Sequence, residues 1–200
     1  MNREQWNQRY AAAEELLWSA AANRTLETEA EGLPLGRALD LACGEGRNAV
    51  WLAQQGWDVT AVDFSDVAVA RGRELAGRRG VTVHWVLEDV YEFEPESGGF
   101  DLVIVLYLHV PAPARREVLR RATRGLALGG TLLVLGHDAS NLADGYGGPS
   151  DPSILYSPQD LAADVPDLHI VKAEHVHREV DTDEGRSLAI DALLRATRAR

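Results

Sequence analysis

The sequence has a single cysteine, Cys43, in 200 residues, so no internal disulfide can form. It lacks an apolar run of the ~20 residues needed to cross a bilayer. Its alanine-rich start is interrupted by Glu14 and Glu15 and carries no basic leader, so no signal peptide is expected and the cytoplasm is the default compartment. Positive charge is scarce: 20 Lys and Arg face 31 Asp and Glu, for a formal net charge of -11. A surface of that sign repels phosphate backbones, which argues against a nucleic-acid substrate, and otherwise it names no substrate. There is no internal repeat, low-complexity segment, P-loop, nucleophile elbow or zinc signature. His175 and His177 share a strand face, but no third ligand accompanies them, so no metal is expected and the pair reads as facing solvent.

The chain turns on Ala38 to Ala53, A-L-D-L-A-C-G-E-G-R-N-A-V-W-L-A. A short apolar run broken only by Asp40 leads into Gly44 and Gly46, and an amphipathic stretch follows. That order reads as strand, glycine turn, helix. Glycines open backbone angles closed to other residues and let a ligand approach the main chain. The helix beginning near Gly46 points its free N–H groups at the same spot. The pattern Gly44-x-Gly46-x-x-Ala49 fits a dinucleotide fingerprint. It fits equally the turn that holds S-adenosylmethionine (SAM), and a turn with no ligand. Cys43 reads as a small residue chosen for fit.

Strand and helix signals alternate along the rest of the chain. Residues 1 to 20 read as a helical segment, with Trp6 and Tyr10 on one face, and Asn23 to Pro34 as a connection. Strands are expected at Arg37–Leu41, Asp58–Val62, Val81–Leu87, Phe100–Leu106 and Thr131–Leu135, the last entered through a Gly129-Gly130 turn. Helices are expected at Gly46–Gln55, at Asp66–Ala76 with Ser65 as N-cap and Gly77 closing it, and at Ala114–Leu126, whose arginines, Arg115 included, read as a solvated face. Ala139 to Pro152 reads as a long loop, with a short helix near Gln159–Asp164 after it. His169–Arg178 and Arg186–Arg195 read as two strands joined through Asp181 to Gly185. The fold class is therefore α/β, with a doubly wound, mostly parallel, seven-stranded sheet ending in an antiparallel hairpin. A single domain is expected. It comprises an N-terminal helical cap (1–34), a cofactor-binding core (35–136), and a substrate-side loop with the C-terminal hairpin (137–200).

Ligands in such sheets bind beyond the carboxyl ends of the strands. Asp63 ends the second strand, where a carboxylate can accept both ribose hydroxyls of a nucleoside. Asp89, after the third strand, can accept an adenine amino hydrogen, with the Val90 N–H on a ring nitrogen. Asp40 lies inside an apolar strand, and a buried carboxylate is costly unless paired. A cationic ligand amine, directly or through water, would justify it, whereas a dinucleotide's pyrophosphate would be repelled. Tyr107, His109 and His137, also at strand ends, are the local candidates for a general base.

The stretch L-D-L-A-C-G-E-G-R-N-A, with A-V-D-F-S and L-E-D-V after it, resembles the class I SAM-dependent methyltransferases. More narrowly, the chain resembles the small bacterial tellurite-resistance and thiopurine-methyltransferase-like group. W-N-Q-R-Y at Trp6–Tyr10 and G-G-P-S-D-P-S-I-L-Y-S-P-Q-D-L at Gly147–Leu161 carry the narrower likeness. The resemblance implies that Asp40, Ala42, Gly44 and Gly46 hold the methionine and ribose side, and that Asp63 binds the ribose with Phe64 against the adenine. It further implies that Asp89 and Val90 read adenine, that Leu106 supplies backbone contacts, and that Trp6, Arg9 and Tyr10 close over the cofactor. The family often has glycine where Ala42 stands, and alanine is small enough to do little harm. The implied activity is methyl transfer from SAM to a small-molecule acceptor, leaving S-adenosyl-L-homocysteine (SAH). A thiol or chalcogen acceptor needs no base. Two rival readings remain, a SAM-binding protein without catalysis and a nicotinamide-dependent oxidoreductase. The sequence leaves monomer or dimer open.

Overall fold

A computed structural model describes residues 1–182 and 185–200. The elements run α1 (Arg3–Ala12), α2 (Arg24–Ala30), β1 (Arg37–Leu41), α3 (Arg47–Gln54), β2 (Asp58–Asp63), α4 (Asp66–Arg79), β3 (His84–Leu87) and β4 (Phe100–Leu106). They continue with α5 (Ala112–Gly125), β5 (Leu126–His137), α6 (Asn141–Asp144), α7 (Pro158–Ala163), β6 (His169–Thr182) and β7 (Gly185–Thr197). The strands form one sheet in the order β3-β2-β1-β4-β5-β7-β6. β1 to β5 pair in parallel, and β7 runs antiparallel to both β5 and β6. This is the doubly wound sheet with a terminal hairpin that the alternation of signals predicts.

Each strand sorts its side chains by parity. Leu39, Leu41, Val103, Val105, Leu132 and Val134 pack against Val118, Leu119 and Ala122 of α5 and Leu161 of α7. Ala38, Leu102, Ile104, Leu106, Leu133 and Leu135 face the other way, onto Ala49, Val50 and Leu52 of α3, Leu75 and Ala76 of α4, and Leu26 of α2. β4 lies between β1 and β5 and is buried except at Asp101, as its nearly unbroken apolar run requires. The winding reverses between β1 and β4, so their carboxyl ends flank the switch point where this architecture opens a crevice.

Several local expectations give way to packing. The first helix stops at Ala12, and the expected connection contains α2, whose N-terminus Asn23 caps by accepting from the Thr25 and Leu26 amides. α4 runs through Gly77 to Arg79 and ends at Gly80, which has φ +68°. β5 begins at Leu126, not Thr131. Its glycines pair with the chain's end, Gly129 donating to the Arg198 carbonyl and Arg198 to that of Gly130. The 139–152 loop contains α6. The hairpin strands are longer than expected because their pairing with each other, and that of β7 with β5, continues past the local strand signal. Within their expected turn, Asp183 and Glu184 lie outside the described residues. Arg115 is not solvated. It is 5% exposed, donates to Asp164 at 2.7 Å and lies over the Tyr156 ring. Arg116 and Arg120, by contrast, stay exposed.

Candidate functional site

The two strand ends at the switch point share an unusual backbone. Ala42 after β1 has φ +60° and Tyr107 after β4 has φ +59°, and they are the non-glycine residues in the left-handed region among those described. Each follows the strand's last pairing, and the chain must turn sharply to leave the sheet. Such angles cost L-residues of order 1–2 kcal/mol, so alanine at position 42 carries a strain that the sequence reading discounted. Gly44 and Gly46 follow at φ +55° and +73°. A side chain on Gly44 would meet the Tyr10 hydroxyl at 2.9 Å, and one on Gly46 would collide with the Trp85 indole. Gly46 caps α3 without any side-chain bond, leaving the first amides of that helix directed at the turn.

The carboxylates converge on this turn. Asp63, last in β2, accepts the Gly44 N–H through Oδ2 at 2.8 Å and the Ser65 N–H through Oδ1 at 2.9 Å. Burial raises its pKa against the pull of those bonds. Asp40 is 1% exposed and its Oδ2 has no hydrogen-bond partner. Burial first, and then the Asp63 charge, push its pKa up to about 8. Asp89 lies beyond β3 in a turn, where Oδ1 accepts the Tyr91 N–H at 3.0 Å, and its charge acts on Asp63. Val90 and Leu106 are buried with their side chains in the core, so only their backbones can meet a ligand. Phe64 is half-buried beside Asp63. Cys43 is buried, and burial holds its thiol well above the ordinary value.

α1 lies over this turn. Trp6 and Tyr10 stack at 5.5 Å between ring centroids, and the Arg9 guanidinium sits 5.3 Å from the Trp6 ring and 5.6 Å from that of Trp18. Asn7 ties α1 to the start of α4 through Ser65 and Asp66. The chain after α1 is tied down by a group that sequence reasoning missed. Glu45, between the two glycines and 4% exposed, accepts the Leu17 N–H at 2.8 Å and pairs with Arg71 at 3.0 Å. Arg71 also donates to the carbonyls of Ala13 and Glu15. Open cavities of about 520 and 670 Å³ lie beside Trp51 and Trp57, and between Glu14–Ala20 and α4 against Arg71.

Tyr107, His109 and His137 come together in a second cluster at the ends of β4 and β5. Their rings are 5.4 to 6.1 Å apart, and Tyr156 stacks on His109 at 5.7 Å. The Tyr107 hydroxyl donates to Asp191 at 2.8 Å and accepts from Asn23 at 3.1 Å. Asp191, fully buried in β7, also takes Arg178 Nε at 2.8 Å and lies 3.4 Å from His137 Nδ1. The pair is too long for a strong hydrogen bond. His109 Nε2 accepts the His137 backbone N–H at 3.0 Å, and burial lowers its pKa to about 4. Burial also lowers His137 and raises Tyr107. Asn23, Arg178 and Asp191 had no signal in the sequence, because their partners lie up to 84 residues away. His175 and His177 are exposed, and His175 Nε2 stands 3.1 Å from Asp138. Among the described residues no group of three or more metal-ligating side chains forms, and no helix is long and apolar enough to cross a membrane.

Residues 38–130, which hold the glycine turn and the first four strands, match the family model described as a methyltransferase domain. The ribosomal RNA small subunit methyltransferase C of Alcanivorax borkumensis is 34% identical over 108 residues, 54% of this chain and 31% of that protein. A solved structure described as the conversion of a disulfide bond into a thioacetal group during echinomycin biosynthesis superposes with TM-score 0.81 at 21% identity, covering 98% of this chain and 93% of the other. TehB from Haemophilus influenzae superposes with TM-score 0.74 at 19% identity, covering 98% of this chain and 66% of TehB. The chain spans 31%, 50% and 57% of the lengths of the first three curated relatives it matches.

Proposed function

We propose that this chain, which has the fold and carries the domain of the class I SAM-dependent methyltransferases and resembles their TehB-like group, transfers a methyl group from SAM to a small-molecule acceptor. One observation carries the reading: a buried carboxylate oxygen of Asp40 stands without a partner beside a left-handed glycine turn. A cationic ligand satisfies such an oxygen, and a dinucleotide pyrophosphate does not. The nicotinamide reading is weakened for the same reason.

The residues present fit SAM. Each Asp63 oxygen has one bond to the backbone, which leaves lone pairs for ribose hydroxyls. Asp89 and the Val90 amide stand for adenine, Phe64 against its ring, and Trp6, Arg9 and Tyr10 above. Gly44, Gly46, Ala42 and the Leu106 backbone frame the methionine side. When bound, SAM supplies a methyl on a positively charged sulfur. The chain's own contribution is then proximity and alignment within a covered crevice. Residues 1–34 act as the cap, 35–136 as the cofactor core, and 137–200 as the acceptor side.

The acceptor cluster favours an atom that arrives without a proton to lose. His109 has its Nε2 committed to a backbone amide and is neutral at pH 7, Tyr107 is held protonated, and the Asp191 carboxylate is bonded to Tyr107 and Arg178. His137 is the remaining candidate base. Thiolates and reduced selenium or tellurium compounds need none, so a soft chalcogen acceptor is the finer proposal, in a protein of the cytoplasm. The net charge of -11 supports a small molecule over nucleic acid. The experiment is calorimetric titration with SAM, followed by labelled methyl transfer to a panel of thiols, chalcogen oxyanions, phenols and amines. Transfer to the chalcogen members is expected. Transfer only to phenols or amines would return the base role to His137, and SAM binding without any transfer would favour a non-catalytic SAM-binding protein.

A further inference from the structure

Parallel strands exchange evenly spaced bonds, each carbonyl in turn taking the next N–H of its neighbour. The last register pair of β4 and β5 is Leu106 with Leu135, and the Tyr107 N–H still donates to the Leu135 carbonyl at 2.6 Å. The acceptor due next, for the His137 N–H, is the Tyr107 carbonyl. By then the chain has left the sheet, because Tyr107 stands at φ +59°. The His137 N–H donates instead to Nε2 of His109 at 3.0 Å, in the crossover that leads from β4 to α5. A side chain thus supplies the bond that the backbone turn gave up. The imidazole is seated for that task. It stacks with the His137 ring at 5.4 Å and with the Tyr156 ring at 5.7 Å, and the Arg115 guanidinium lies 5.1 Å from the Tyr156 centroid. Gly136 leaves the room: a Cβ there would stand 3.1 Å from His109 Nε2 and would collide with the Tyr156 hydroxyl. Because Nε2 accepts, the ring's one proton is on Nδ1. Burial first, and then His137, hold the imidazole neutral against the pull of the Asp191 carboxylate and the Tyr107 backbone.

We propose that His109 is a positioning residue for methyl transfer: it splices the ends of β4 and β5 beyond their last ladder bond and so fixes the Tyr107 and His137 rings as walls of the acceptor cluster. The inference rests on the methyltransferase reading. The two rings lie 5.4 Å apart and belong to different strand ends, so whatever joins those ends beyond the sheet sets their separation. Asp191 meets Tyr107 and His137 at the tips of their side chains, whereas His109 holds the backbone that carries the His137 ring. With Nε2 occupied and a proton on Nδ1, His109 has no free lone pair with which to take a proton from an acceptor. It acts through its neighbours. In-line transfer depends on such placement, a displacement of about 1 Å being worth up to about a hundredfold in rate.

The test compares the whole protein with two variants. His109→Phe keeps a stacking ring and removes the acceptor nitrogen, while His109→Gln places an amide oxygen within reach of the same N–H. The probe acceptor is 4-nitrothiophenol, whose thiolate colour is lost on S-methylation. His109→Phe is expected to lower kcat about ten- to a hundredfold, with little change in the Kd for SAM, and His109→Gln to recover most of that loss. In the wild type at pH 7, NMR is expected to show a coupling across the hydrogen bond between the His137 amide nitrogen and His109 Nε2. Should His109→Phe fail to fold by circular dichroism, that coupling and the rate of His109→Gln decide. His109→Gln as slow as His109→Phe would make His109 a proton carrier or an acceptor contact, and would overturn the inference while the methyltransferase reading stands. A wild-type rate in His109→Phe, or absence of the coupling, overturns it equally. Failure of the wild type to methylate the probe brings down the soft-acceptor reading and the inference with it.

Discussion

Asp63 shows how one side chain serves fold and function together. Its two bonds to the Gly44 and Ser65 amides lock the end of β2 to the turn after β1, and the lone pairs left over are those a ribose would engage. Asp63→Ala is expected to weaken SAM binding by about 1.5–3 kcal/mol, the range for hydrogen bonds to a charged group. Calorimetry at pH 7 measures it, and unchanged affinity would remove Asp63 from the cofactor contacts. Ala42 is the opposite case, a residue whose side chain does little and whose backbone is strained. Ala42→Gly relieves a φ of +60° and is expected to raise the unfolding free energy by ~0.5–1 kcal/mol. A denaturant melt that shows a loss of stability would mean the methyl group has a packing role that outweighs the strain.

At the scale of elements, two ionic ties hold segments that local sequence leaves undefined. Residues 13–18 have no regular structure of their own, and Glu45 with Arg71 pins them over the glycine turn. Arg71→Ala is expected to speed hydrogen exchange at the Leu17 and Trp18 amides tenfold or more, because bonds to charged groups are worth about 1.5–3 kcal/mol. The sheet amides should be unaffected, and protection spread evenly across the molecule would argue against a local tie. The second tie joins α5 to the end of α7. Arg115 and Asp164 have side chains only 6% exposed and meet at 2.7 Å. Removing one partner strands the other, so Arg115→Ala is expected to cost about 3–5 kcal/mol of stability, whereas Arg116→Ala, at an exposed position, should cost under 1 kcal/mol. Equal effects in thermal melts would mean the Arg115 pair is solvated after all.

For the molecule as a whole, two buried groups set the response to pH in opposite directions. His109 is lowered to about 4 from 6.5. It therefore stabilises the folded state above pH 6.5, and that contribution is lost as pH falls through 4. Asp40 is raised from 3.8 to about 8. Its contribution is full below pH 3.8 and is lost as pH rises toward 8. Between about pH 4 and 6.5 the two slopes oppose and cancel, so from these groups the ligand-free protein is expected to hold its stability there and to lose it from pH 6.5 to 8, where Asp40 acts alone. Its midpoint temperature should stay level from pH 4 to 6.5 and fall from 6.5 to 8, and saturating SAM should recover that alkaline loss. A melting curve series that keeps rising from pH 6.5 to 8 without SAM would contradict the burial of an unpaired Asp40.

The alternation of strands and helices, the glycine turn, the acidic strand ends and the antiparallel hairpin are legible in the residues alone. These rest on short-range physics: the two-residue period of strands, the cap at Ser65, and the backbone freedom of Gly44 and Gly46. Asp40 was legible too, since a carboxylate in an apolar strand announces its own cost. The place of Arg115, the start of β5 and the strand ends that carry strain emerge only once the chain is folded. Those outcomes depended on neighbours distant in the chain, such as Asp164 for Arg115 and the 198–200 end for Gly129. The fold also chose the partners of Glu45, Tyr107 and Asp191, because an ion pair or buried hydrogen bond is specified by the position of both groups and a linear pattern records only one at a time.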